Sequence, residues 1–148
     1  MKTEEIIPLV IQWAKDKNLN DPKKQTLKCY EELGELAKAI LENDRDEIID
    51  AIGDSFITII ILASQRRLEK LLYVDLSESL FTGCSTDSYS LAWIYSDIYN
   101  EHFYYCIFHL SDIAKNHDLT LNQCLNAAWN TIKNRKGKTV NGTFIKEK

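Results

Sequence analysis

Acidic residues recur at helical spacing in two neighbouring stretches of the chain. The first is Glu31-Glu32-Leu33-Gly34-Glu35, and the second is Asp46-Glu47-Ile48-Ile49-Asp50-Ala51-Ile52-Gly53-Asp54. The second runs straight into Ser55-Phe56-Ile57-Thr58-Ile59-Ile60-Ile61-Leu62-Ala63, so its acids ride on an otherwise apolar helix. Burying a carboxylate costs several kcal/mol unless something compensates for it. Two helices that each turn carboxylates to one side therefore point to a bound cation. All-oxygen donors select a hard ion, Mg2+ or Mn2+, over zinc or copper. Such an ion is usually shared with substrate phosphates, which makes a nucleotide phosphate chain the natural third party. The sequence has no EF-hand loop and no Walker glycine pattern, which argues against those two chemistries.

The elements that must position these acids can be traced from their caps. Asp21-Pro22 places a capping residue before a first-turn proline and opens a helix to about Glu42. Cys29, Leu33, Leu36 and Ile40 form its core stripe. At about 100° per residue, Glu32 lies about 60° and Glu35 about 120° from the centre of that stripe, on the same side. Lys28 falls one turn before Glu32. Glu31 points nearly opposite and is expected to be a solvated acid. Asn43-Asp44-Arg45 breaks the helix, and Asp44-x-x-Glu47 is a capping-box pattern for the next one. On that third helix Glu47, Asp50, Asp54 and Thr58 fall within about 80° of one another. Isoleucines and Phe56 cover the other directions, so the helix is expected to be buried.

The rest of the chain supplies the surroundings. A first helix is expected over Thr3 to Lys17, with Thr3 as N-cap and a stripe of Ile6, Leu9, Val10, Trp13 and Ala14. Trp13 has two readings there, a core residue or a stacking surface for a base. Arg66 to Leu80 looks helical, either separate or as an extension of the third helix. Phe81 to Ser88 is loop by composition. Tyr89 to His117 is expected as one long helix, and its many aromatics suit a core or a subunit interface. Thr120-Leu121-Asn122-Gln123 opens a further helix that continues through Trp129 and Ile132 and ends near Gly137. Val140-Asn141-Gly142-Thr143-Phe144 predicts a small hairpin. The expected fold class is all-α: a bundle of four to five helices, a long additional helix and a small C-terminal β-hairpin.

Composition sets the outer limits. With 148 residues, 45% of them apolar and only five Gly and two Pro, the chain suits one helical domain with a real core. A net charge of −4 gives no basic surface for nucleic acid. Phe56 to Ala63, the longest apolar run, is far short of the ~20 residues of a membrane span. Cys29, Cys84, Cys106 and Cys124 show neither zinc spacing nor a disulfide framework. Together with an N-terminus that lacks a signal h-region, this predicts a reduced, cytoplasmic protein. Asn141-Gly142-Thr143 is then a turn, although it matches a glycosylation sequon. Positive charge gathers at the C-terminus in Lys133, Arg135, Lys136, Lys138, Lys146 and Lys148. Such a tail suits a phosphate ligand, or equally a solvated end. One strongly apolar helix and one aromatic helix hold more apolar surface than thin helices bury among themselves, which predicts a homo-oligomer, dimer or tetramer.

Three blocks taken in order resemble a known family. They are Glu31-Glu32-Leu33-Gly34-Glu35, the helix ending Asp50-Ala51-Ile52-Gly53-Asp54, and Ala128-Trp129-Asn130-Thr131-Ile132-Lys133-Asn134-Arg135-Lys136-Gly137-Lys138. Together they look like the MazG-like nucleotide pyrophosphohydrolases, with small phage-type members the nearest in pattern. The resemblance covers about residues 1–65 and 118–148 and leaves about 66–117 as an inserted segment within one domain, 1–148. It implies an all-α bundle that binds Mg2+ through an E-x-x-E helix and an E-x-x-D helix. It also implies cleavage of NTP or dNTP to NMP and pyrophosphate. Carried onto this chain, the metal residues are Glu32, Glu35, Asp50 and Asp54, with Glu35 also the catalytic group that orients or deprotonates water. Lys28, Asn130, Lys133, Arg135, Lys136 and Lys138 become phosphate contacts, and Trp13 a base contact. The second motif departs from the family pattern, because the position three before Asp54 is Ala51. Glu47-x-x-Asp50 keeps the letters one turn earlier. Asp50 and Asp54 are preferred because they face one way, with Glu47 left to the cap. If phage-encoded, the protein would act in the host cytoplasm. Two other readings stay open: a protein that binds a nucleotide or alarmone without turnover, and a structural helical dimer.

Overall fold

The computed structural model describes residues 1–76 and 85–147. Among them are six α-helices and one two-stranded antiparallel hairpin. The helices are α1 (Thr3–Asp16), α2 (Pro22–Glu42), α3 (Arg45–Gln65), α4 (Asp87–Tyr99), α5 (Phe103–Asn116) and α6 (Leu121–Ile132). A short 3-10 turn, Glu69–Leu72, follows α3, and strands β1 (Gly137–Val140) and β2 (Thr143–Lys146) close the chain.

Caps fix the helices that matter most. The Asp21 carboxylate accepts the Lys24 amide at 3.2 Å, and Pro22 takes the first helical position of α2. The Asp44 carboxylate accepts the Glu47 amide at 3.2 Å and starts α3. Between them Asn43 is left-handed, with φ 52°, and turns the chain back so that α3 packs along α2. Thr120 and Gln123 cap α6 reciprocally. At α1 the N-cap is Lys2 rather than the expected Thr3, and the Lys2 amide donates to Glu5 at 2.7 Å.

Helix α3 is the centre of the bundle and touches α1, α2, α5 and α6. Ile48, Ile52, Phe56, Ile59, Ile60 and Leu62 are all buried on it. Gly53 lets α6 approach: a Cβ there would stand 2.3 Å from the Cys124 carbonyl oxygen and 2.8 Å from the Ala128 Cβ. Cys29, Cys106 and Cys124 are buried free thiols.

Several expected boundaries move. Helix α3 does not run on into Arg66 to Leu80. It stops where Arg67 turns left-handed (φ 60°) and the Leu68 amide bonds back to Ala63 at 2.8 Å, satisfying a last-turn carbonyl. The end of that segment and the first half of the expected 81–88 loop, with Cys84, lie outside the described residues, and the last two residues of that loop, Asp87 and Ser88, already belong to α4. The single long helix over Tyr89 to His117 is instead a helical hairpin. Glu101 takes φ 60°, the His102 amide donates to the Asp97 carbonyl at 2.7 Å, and the Asn100 amide side chain reaches back to Ser96 at 2.9 Å. These bonds end α4 and let α5 pack back against it. Helix α6 stops at Ile132, and Gly137 opens β1 in extended backbone rather than closing the helix.

The hairpin forms as expected. Asn141 (φ 52°) and Gly142 (φ 80°) both take positive φ, the requirement of a tight two-residue turn, and Val140 pairs with Thr143. Its turn packs on the start of α2, since a Cβ on Gly142 would stand 2.8 Å from Asp21. The Thr139 hydroxyl donates to the Lys17 carbonyl just past α1. No helix among the described residues is long and apolar enough to cross a membrane.

Candidate active site

Helices α2 and α3, the end of α6 and the hairpin enclose a cavity of about 310 Å3. Its lining includes the charged residues Lys28, Glu31, Glu32 and Glu35 of α2, Asp54 of α3 and Arg135 after α6. It also includes the apolar and aromatic residues Trp13, Leu19, Ile57, Ile61 and Phe144.

Glu32 is the most confined acid of this cavity, 7% exposed. Its Oε1 lies 3.4 Å from the Lys28 ammonium, and its Oε2 has no hydrogen-bond partner among the described residues. Burial pushes its pKa up to about 7; Lys28 opposes that rise, while Asp54 and Glu35 add to it. Asp54 is half-buried and also raised, first by burial, against the pull of Arg135, with Asp50 and Glu35 adding repulsion. Lys28 donates to Glu31 at 2.8 Å. Burial alone would lower the Lys28 ammonium, but the bond to Glu31 and the charges of Glu32 and Glu31 leave it raised. Carboxylates from two helices thus lie close enough that, after burial, their neighbours help hold Glu32 and Asp54 toward their neutral forms.

As the side chains stand, no three Asp, Glu, His or Cys groups among the described residues converge on one point. The donor chemistry still fits a divalent ion. The groups are carboxylates, one buried oxygen has no partner among the described residues, and burial and then mutual repulsion disfavour the charged forms of Glu32 and Asp54, a cost that a cation between them would relieve.

Six of the residues singled out from sequence line this cavity: Glu32, Glu35, Asp54, Lys28, Arg135 and Trp13. Asp50 does not. It stands exposed one turn before Asp54 and acts on it through charge. Asn130, Lys133, Lys136 and Lys138 are exposed and lie outside the lining, with Lys133 donating to Asn130 at 3.0 Å. Trp13 is packed against the core, as the first of its two readings expects. It also forms cavity wall, edge-on to Phe144 with centroids 5.2 Å apart. Glu31 is a correction to the helical wheel: its carboxylate curls to Lys28 and joins the rim of the cavity instead of pointing away.

Sequence reasoning missed Lys24, Gln25, Phe144 and Lys146 as lining residues, and placed Thr58 on the right stripe without giving it a role. Gln25 precedes Cys29 by four and Glu32 by seven, so a polar residue interrupting the core stripe was the available signal. Phe144 and Lys146 share one face of β2 by their period of two, but nothing local says where the hairpin docks.

Residues 21–82 match the MazG nucleotide pyrophosphohydrolase domain. Over 72 residues the chain is 40% identical to an uncharacterized 18.2 kDa protein in the rep-hol intergenic region of Haemophilus phage HP1 (strain HP1c1). That alignment covers 47% of this chain and 44% of the phage protein, so the chain matches less than half the length of its relative. No solved structure matches.

Proposed function

We propose that the chain, whose residues 21–82 match the MazG nucleotide pyrophosphohydrolase domain, is a divalent-metal-dependent hydrolase that cleaves a nucleoside triphosphate, NTP or dNTP, to NMP and pyrophosphate. One observation carries this reading: Glu32, Glu35 and Asp54 line one cavity together with Lys28, Arg135 and the rings of Trp13 and Phe144. Glu32, Glu35 and Asp54 would hold Mg2+ or Mn2+, with Asp50 supporting them from one turn back. When bound, such an ion neutralises phosphate charge and acidifies water.

The chain's own residues do the remaining work. Lys28 and Arg135 donate to phosphate oxygens, Arg135 through a planar fork that suits them. Glu35 orients the attacking water and takes its proton as the new O–P bond forms. The α–β bridging bond breaks, and its electron pair leaves with pyrophosphate. The apolar part of the lining takes the base and keeps water from it. The test is a nucleotide panel with and without Mg2+. Metal-dependent pyrophosphate release supports the reading, and binding without release would make the chain a nucleotide-binding protein instead.

The C-terminal segment divides under this proposal. Arg135→Ala should raise KM for nucleotide about tenfold or more, since a charge-assisted contact to phosphate is lost. Lys138→Ala, on an exposed position of β1, should change neither KM nor stability. Steady-state kinetics on both variants check the split, and equal effects would remove Arg135 from the site.

The same proposal includes a homo-oligomer, a dimer or tetramer. Tyr99 is 78% and Trp93 46% exposed on α4, and Leu27 and Tyr89 are also exposed. A second cavity, about 360 Å3, opens beside Leu27, Tyr30, Tyr99 and Phe103. Light scattering should give a mass above the 17.1 kDa of one chain, and Trp93→Glu should lower it without unfolding the protein. A wild-type mass of one chain would refute the assembly.

A further inference from the structure

The geometry points to Gln25 as the residue that selects the base, favouring an amino group where guanine, uracil and thymine carry a carbonyl; the preferred substrates are then adenine or cytosine nucleotides. This rests on reading the cavity as a nucleotide site.

Gln25 is 4% exposed and yet lines the cavity. Its Nε2 donates to the Thr58 backbone carbonyl at 3.1 Å. A carbonyl can only accept, so this bond fixes which way the carboxamide faces: nitrogen toward α3, Oε1 away from it. The nearby Thr58 hydroxyl is already given to the Ser55 carbonyl at 2.8 Å. Among the described residues nothing donates to Gln25 Oε1. An acceptor held in one orientation at the cavity wall, with no donor from the described residues, is free to take a donor from the ligand.

The surroundings say which part of the ligand arrives there. Ile57 and Ile61 of α3 line the same cavity, as do the rings of Trp13 and Phe144, which meet edge to face. Such a lining takes a planar ring. Glu32 lies two turns further along α2, about 10 Å away at 1.5 Å per residue. That is the scale of a nucleoside from the edge of its base to its 5′ phosphate. An exocyclic amine at that edge donates to Oε1. A carbonyl in its place would set two acceptors against each other in a confined site, and such unmatched polar groups discriminate more strongly than shape does.

The experiment measures kcat/KM for pyrophosphate release, and Kd by calorimetry with Mg2+, for the adenine, cytosine, guanine, uracil and thymine triphosphates. It uses the full chain as wild type and as Gln25→Leu, with circular dichroism on both. Wild type should prefer the amino bases by about tenfold or more, and Gln25→Leu should bring that ratio toward one. Equal use of all bases by wild type overturns the role of Gln25 while leaving the pyrophosphohydrolase reading intact. A preference that follows ribose against deoxyribose instead assigns Oε1 to the sugar and also overturns it. If no triphosphate is cleaved, the hydrolase reading fails, and the calorimetric panel judges the base preference by itself. Should Gln25→Leu not fold, the wild-type panel still decides. A folded Gln25→Leu that keeps the full wild-type ratio overturns the assignment.

Discussion

Replacing Asp54 by Asn is expected to cut metal-dependent pyrophosphate release by about a thousandfold or more, equivalent to roughly 4 kcal/mol of transition-state stabilisation. Asparagine matches aspartate in shape, so the packing of α3 should survive. What disappears is a negative charge on a half-buried position that faces Glu32, Glu35 and Arg135. Without metal the variant should be as stable as wild type or slightly more so, because burial and its acidic neighbours already disfavour the Asp54 carboxylate. Glu47→Gln is the comparison. Glu47 is exposed at the start of α3, where Asp44 caps its amide, and the change should leave turnover nearly intact. Wild-type turnover in Asp54→Asn would sink the site assignment. Loss of turnover in Glu47→Gln would move the metal residues to the register one turn earlier.

Gly53→Ala should lower the unfolding free energy by about 1–3 kcal/mol, even though Ala is the better helix former by about 1 kcal/mol. The added methyl would stand 2.3 Å from the Cys124 carbonyl oxygen, which is backbone and cannot swing aside. Helices α3 and α6 must separate, and Arg135 just beyond α6 moves with them. Melting should therefore fall by several degrees, with KM rising as well. Gly34→Ala gives the opposite sign. Nothing lies within 4 Å of a Cβ at Gly34, so the helix-propensity gain of about 1 kcal/mol should appear as a higher melting temperature. Thermal denaturation of the two variants side by side checks both. An unchanged Gly53→Ala would mean that α6 does not approach α3 this closely in solution.

Much of this fold is legible because its ends carry chemical signatures. Asp21-Pro22, Asp44 and Thr120 each offer a side-chain oxygen where helix amides lack partners, and Asn141-Gly142 supplies the two positive φ values a tight hairpin needs. The acids on α2 and α3 are legible for a related reason, since a carboxylate on an apolar helix needs a purpose. The ends of α3 and α4 were hidden. They turn at Arg67 and Glu101, side chains that carry no preference for left-handed backbone, so only the pattern of main-chain bonds reveals the break. Phe144, Lys146 and Gln25 were hidden as cavity residues for a different reason. Their place depends on contacts between distant segments, which no local pattern encodes.

The hairpin's grip on the start of the chain has a consequence for the order of folding. Thr139 bonds to Lys17 across 122 residues of sequence, and Phe144 reaches Trp13 over a similar span. The helical hairpins α2–α3 and α4–α5 involve only near neighbours, so they can form early and quickly. The seam between the two ends closes a very long loop and comes late. During synthesis, then, the acidic helices and Trp13 are made while Arg135 and Phe144 are still to come. The cavity gains that cation and that ring only when the last segment docks.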